Sequence, residues 1–140
     1  TKVRDGVISF PGNQENYSML SKRLRMISPG TGIFTEKQNK YLPSHKLAMS
    51  VFLKKNIFPS IELDLVRALS FLRKDGIAPE NSAKGWNLIS YNGIVLGFVN
   101  NIGNRLNNYY PVEWRIRMNP ASMSGMDAIH WDNPDKVFLK

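Results

Sequence analysis

Apolar residues recur along this chain with two different periods, and the change between them divides it. Residues 2–9 alternate around Val3, Val7 and Ile8, a strand pattern that stops at Pro11-Gly12. From Asn13 or Gln14 to Ile27 the period lengthens, and Tyr17, Leu20, Leu24 and Ile27 share one face of a predicted helix. Lys22 and Arg25 point away from that face. Pro29-Gly30 breaks the chain, and residues 32–37 form a short predicted strand. Ser44 then caps a second predicted helix running to about Leu53, with Leu47, Ala48, Val51 and Phe52 as its buried stripe. Residues 60–63 make a brief strand. Asp64 caps a third helix whose apolar face is Leu65, Ala68, Leu69 and Leu72, with Gly76 beyond its end.

Past a polar loop at residues 77–84 the pattern becomes all-β. Residues 86–91 and 94–99 flank Asn92-Gly93, a pair that tolerates positive φ and so predicts a tight hairpin. Gly103 marks a second turn, and residues 105–110 and 112–118 supply further strands around Pro111. Residues 119–140 read as a partly ordered tail that docks Trp131 or Phe138 on the core. The expected class is α+β: a small α/β lobe over residues 1–59, a β-barrel-like lobe over 60–118, and the tail.

Composition narrows the function. Hydrophobic residues make up 42% of the 140, enough for a real core. No apolar run approaches the ~20 residues of a membrane helix, and the first residues lack a signal-peptide pattern. A soluble, cytoplasmic domain is the expectation, and the absent initiator Met suits a fragment of a longer protein. There is no cysteine, which excludes disulfides, thiolate metal sites and cysteine nucleophiles. His45 beside Ser44 is not a catalytic pair, because adjacent helix residues point about 100° apart; a structural hydrogen bond at the helix start is expected instead. His130 with Asp127 and Asp132 lacks distinctive ligand spacing, so no metal is expected.

The net charge of +8 is unevenly placed. Residues 1–60 hold ten Lys/Arg against three acids, residues 61–118 seven against five, and residues 119–140 two against three. A polyanion touching the N-terminal half accounts for that asymmetry; a solvated surface that aids solubility is the alternative. Lys22, Arg25, Lys37 and Lys40, with Lys46, Lys54 and Lys55, supply most of the positive surface and are candidate phosphate contacts. Arg105, Asn107, Asn108, Tyr109 and Tyr110 combine a charge, amides and aromatic rings, the groups that hold a single-stranded base. Of these, Tyr110, with Trp86 and Tyr91, is expected to pack in the core. Arg115 and Arg117 alternate with Trp114 and Ile116; they either reach phosphate or pair with Glu113 and Glu62.

Residues 85–111, GWNLISYNGIVLGFVNNIGNRLNNYYP, resemble the PUA-like RNA-binding domain that closes bacterial small-subunit ribosomal-RNA methyltransferases of the Sun-type cytosine-5 family, methyltransferase F group. Gly85, Trp86, Tyr91, Gly93, Leu96, Gly97, Asn108, Tyr110 and Pro111 match its pattern. Upstream, LRMISPGTGIF and LPSHKLAMSV are also similar to family segments, the latter through Pro43, Ser44, His45, Leu47 and Ala48, so the likeness spans about residues 3–118. Phe98 stands where the family has Trp, Asn107 where it has Lys, Tyr109 where it has His, and Val112-Glu113 where Lys-Gly often follows.

The resemblance implies a PUA-like β-barrel over residues 60–118 and a larger parent enzyme that methylates cytosine in ribosomal RNA with S-adenosylmethionine. That chemistry needs two cysteines, which this chain lacks, and a βαβ unit with a glycine-rich turn, which is not expected here. Gly30-Thr31-Gly32 precedes a strand and reads as a turn. No catalytic group or cofactor site is therefore expected in the chain. Its expected partners are ribosomal RNA and the catalytic domain of the same polypeptide, with no membrane. A bracing module that touches RNA little is the competing reading, and a free-standing PUA-like protein acting on a small molecule or nucleotide is a third.

Overall fold

Tight turns and short caps set the local structure in the computed structural model, which describes residues 1–3, 6–54, 56–79 and 82–118. Strands β1 (Lys2–Val3) and β2 (Gly6–Ser9) pair with each other, Lys2 opposite Val7, so the single strand expected over residues 2–9 is a hairpin. Asn13 caps helix α1 (Gln14–Arg23), its side chain accepting from the Asn16 N–H at 2.8 Å. The helix stops at Arg23 rather than Ile27. Leu24 turns extended, none of the helix residues is buried, and Ile27 is 95% exposed. Without a buried face, nothing tertiary supports extra turns.

Strands β3 (Thr31–Lys37) and β4 (Lys40–Pro43) join through Gln38 and Asn39, both at positive φ (49° and 61°), the geometry of the tightest hairpin turns. They complete a four-stranded antiparallel sheet in the order β1-β2-β3-β4, called sheet A. Ser44 begins helix α2 (His45–Ala48), as its position after Pro43 predicts, accepting from the Leu47 N–H. The helix lasts one turn. Ser50 Oγ accepts from the Phe52 N–H at 3.3 Å, a local bond that competes with the helical ladder. Val51 and Phe52, expected in a buried stripe, are 92% and 89% exposed.

The second sheet, sheet B, holds the core. Strand β5 (Ser60–Glu62) runs parallel to β6 (Gly85–Tyr91), linked by helix α3 (Leu65–Arg73). Asp64 caps α3, accepting from the Arg67 N–H at 2.8 Å. A βαβ unit is thus present, without the glycine-rich turn that was not expected; the parallel pairing, which needs a crossover, could not be read from a first strand only three residues long. Strand β7 (Ile94–Asn101) returns antiparallel through Asn92-Gly93, and β8 (Leu106–Asn108) follows the turn at Gly103.

Helices cover both faces of sheet B. On one side Ile89, Val99 and Leu106 pack with Leu63, Ala68, Phe71 and Ile77. On the other, Leu88 and Phe98 pack with Ala48, joined by Leu47, Leu53 and Phe58. Full burial of each such aliphatic or aromatic side chain contributes roughly 1.5–3 kcal/mol. No closed barrel is found over residues 60–118 among the described residues, where the four strands form a sheet in the order β5-β6-β7-β8. Residues 112–118 add no strand. Val112–Trp114 form a 3-10 turn after Pro111, and the Ile116 N–H donates to the Leu72 carbonyl at the end of α3. With a helix on each face, the sheet buries its side chains without curling closed. The tail at 119–140, with its docking expectation for Trp131 and Phe138 and the His130 cluster, lies outside the described residues.

Candidate nucleic-acid interface

The segment after β8 is set by a clamp from α3. Lys74 ends that helix in the left-handed conformation (φ 65°), and its ammonium donates to the carbonyls of Asn108 (2.9 Å) and Tyr110 (2.6 Å). Burial pushes the Lys74 pKa down, opposed by the nearby Glu113 carboxylate. Asn108 completes the clamp: its amide donates to the Phe71 carbonyl at 2.7 Å and its oxygen accepts from the Tyr110 N–H at 2.8 Å. Asn108 is accordingly structural.

So held, successive tyrosines face opposite ways. Tyr110 packs inward, 5.5 Å from the Phe71 ring and 5.2 Å from the His45 ring. Tyr109 packs on Trp86 at 4.6 Å and keeps 36% of its surface exposed. Pro111 then opens the 3-10 turn that lays Trp114 edge-on to His45, at 5.2 Å and 82°.

Sheet A closes the opposite wall. Ser44 Oγ donates to the Gly32 carbonyl at 2.6 Å and so ties the start of α2 to β3. His45 and Lys46 follow. The result is a cleft of about 510 Å³ whose lining includes Thr35, Leu42, His45, Lys46, Tyr109 and Trp114. The His45 ring lies against the backbone of Gly97, where an added Cβ would sit 3.3 Å from Nδ1. That nitrogen is buried and has no partner, in place of the hydrogen bond expected at the helix start. Burial lowers the His45 pKa, which keeps the ring neutral at neutral pH.

Residues 58–116 match the family model of the methyltransferase RsmF PUA domain. The matched segment spans all of sheet B, helix α3, Tyr109 and Trp114, while His45 and Lys46 precede it. No curated protein matches the chain.

The residues singled out in the sequence fall into several places. Lys37 and Lys40 are register partners at the β3–β4 turn and share a face with Thr35 and Leu42, so they extend the wall of the cleft. Tyr109 and Lys46 line the cleft itself. Asn107 is half-buried opposite Asn100 and lies on the same face as Tyr109, two residues along. Arg115 is exposed immediately after Trp114, and neither it nor Arg117 forms an ion pair with Glu113 or Glu62. The Glu62 carboxylate instead accepts from Ser90 Oγ at 2.5 Å and from the Gly93 N–H at 3.2 Å. Arg105 is exposed in the β7–β8 turn, at the other end of β8 from Tyr109. Lys22 lines a separate shallow depression on α1 with Glu15, Met19 and Arg23, and Arg25 is exposed just beyond that helix. Lys54 is exposed, and Lys55 lies outside the described residues.

Sequence reasoning missed Trp114 as a surface aromatic and Lys74 as a clamp. Pro111 was the available signal for the first, since a proline that breaks the strand frees the following residues to turn. Nothing local marks the second. Among the described residues, neither the β5–α3 turn nor the Gly30–Gly32 segment forms a glycine-rich turn opening a helix. The β5–α3 turn is Leu63-Asp64 without glycine, and Gly30 is pressed on β2, where a Cβ would meet the Ser9 carbonyl at 2.0 Å. Among the described residues no group of three His or acidic side chains is placed to hold a metal ion, and no helix is long and apolar enough to cross a membrane.

Proposed function

We propose that this chain is the RNA-holding part of an S-adenosylmethionine-dependent ribosomal-RNA cytosine-5 methyltransferase, a cytoplasmic enzyme whose catalytic domain lies elsewhere in the same polypeptide. In this reading the chain performs no chemistry; it positions the catalytic domain on small-subunit ribosomal RNA. The observation that carries it is the match of residues 58–116 to an RsmF PUA domain, bordered by a cleft where Lys46 faces two exposed aromatic rings. The basic bias of residues 1–60 supplies the long-range attraction.

The test is a titration of the chain with small-subunit ribosomal-RNA fragments, followed by NMR. Binding in the micromolar range or weaker is expected. Its logarithm should fall linearly with log salt, by about 0.9 for each phosphate contact on a duplex. No shift changes at low salt would overturn the proposal.

A second reading has its own observation. Val51, Phe52 and Ile57 are exposed (92%, 89% and 61%) beside a groove lined by Ile33, Leu47 and Leu53. Such an apolar stretch suits a protein contact, and a module that braces the catalytic domain would use it. Charge reversal at Lys22 and Arg25 separates the two, because only the RNA reading predicts a loss of function from it.

A further inference from the structure

Resting on the RNA-binding reading, we infer that the cleft between Lys46 and Trp114 takes one unpaired base of a single-stranded segment, with the flanking phosphates on the Lys37–Lys40 hairpin. Four features of the site lead there. Trp114 is held by the turn after Pro111 and by edge contact with His45, yet 60% of its surface stays in solvent. A large aromatic ring so supported and exposed is a stacking platform, and every nucleobase offers a π-face to it. Tyr109, fixed on Trp86, stands on the lining of the same cleft as a second ring.

The lining also has the right sign. It contains no acidic residue and one lysine, Lys46, while Lys37 and Lys40 continue the same face of the hairpin outward. The cations therefore lie to one side of the rings, as a backbone running past an inserted base requires.

His45 supplies a polar handle. Its Nδ1 is buried against Gly97 without a partner, and a buried orphan N–H is rarer than an orphan lone pair. The proton of the neutral ring therefore belongs on Nε2, the nitrogen left to donate to a base carbonyl in the cleft that His45 lines. Concavity completes the argument. Bases stacked inside a duplex do not enter a cleft, so an unpaired nucleotide is selected.

Three probes test this on the whole chain: a short uridine oligonucleotide, an abasic oligonucleotide of equal length, and a duplex. The abasic strand keeps every phosphate and drops the bases. The uridine strand is expected to bind at least about tenfold tighter than the abasic one, the scale of one stacked base, and to quench tryptophan fluorescence. Trp114→Ala should erase that difference and Trp114→Phe should retain most of it; both side chains are replaced at an exposed position, and an unchanged NMR fingerprint elsewhere verifies the fold. Equal affinity for uridine and abasic strands, or a difference that survives Trp114→Ala, overturns the base cleft while leaving the RNA reading intact. Tighter binding to the duplex than to the uridine strand overturns it likewise. No binding to any probe or to ribosomal-RNA fragments sinks both.

Discussion

Sheet B buries Leu88, Ile89, Phe98 and Val99 to 1% exposure or less, whereas the strands of sheet A bury only Gly6 and Pro43, and α1 beside them buries nothing. Both sheets have four strands; they differ in cover. α3 lies on one face of sheet B and α2 on the other, while sheet A shares α2 and keeps much of its surface in water. The net charge follows a similar division, with ten Lys/Arg against three acids in residues 1–60 and seven against five in residues 61–118. Desolvating a cation is expensive, so cations accumulate where burial is scarce. Buried core and net positive charge thus reside largely in different halves, and substitutions should separate their effects.

The sharpest way to break that comparison is Phe71→Ala. Phe71 is fully buried between sheet B and Tyr110, so its loss should destabilise by roughly 3–5 kcal/mol, read from denaturant midpoints. A loss under about 1 kcal/mol would mean that sheet B is not the core. Gly97→Ala comes next. Its Cβ would press Phe71 at 3.1 Å and His45 at 3.3 Å, from a φ of +156° near the edge of the strained region, for about 1–3 kcal/mol.

His45 links the halves through pH. Its folded pKa is below the ordinary 6.5, so below that pH the unfolded chain takes up a proton that the folded one refuses. Stability should therefore be flat above pH 6.5 and fall as pH drops through the lowered folded value. Denaturation from about pH 8 to about pH 5 should show this slope in the parent chain and lose it in His45→Gln. Charge reversal at Lys22 and Arg25 should weaken RNA binding and flatten its salt dependence while moving stability by less than ~0.5 kcal/mol. A large stability change would show that α1 is load-carrying after all. Phe52→Ser should do least: at 89% exposure it should shift stability within ~0.5 kcal/mol, where a buried phenylalanine would lose several.

Much of the fold was legible locally. Ser44 and Asp64 cap the helices predicted for them, and Asn92-Gly93 makes the predicted hairpin. Errors fell where apolar periodicity was trusted without a partner surface. Leu24 and Ile27 continue the helical period of α1 yet lie in extended or exposed chain, and Val51 and Phe52 continue that of α2. Periodicity states which residues would share a face; it does not state that anything covers that face. The candidate site was half legible. Lys37, Lys40, Lys46 and Tyr109 are residue types any reader would mark, but Trp114 read as a strand residue and His45 as a helix-start hydrogen bond.

By itself, then, the chain of letters determined the caps, the turns, the absence of cysteine chemistry and the basic bias of one half, because each depends on neighbours within a few residues or on composition. Only the tertiary structure decided that β5 runs parallel to β6, that sheet B is covered twice, and that Lys46 meets Tyr109 and Trp114 across a cleft. Those arrangements join positions far apart in the chain, Ser60 with Leu88 and Lys46 with Trp114 among them, and their energy comes from surfaces that do not exist until the sheets have formed.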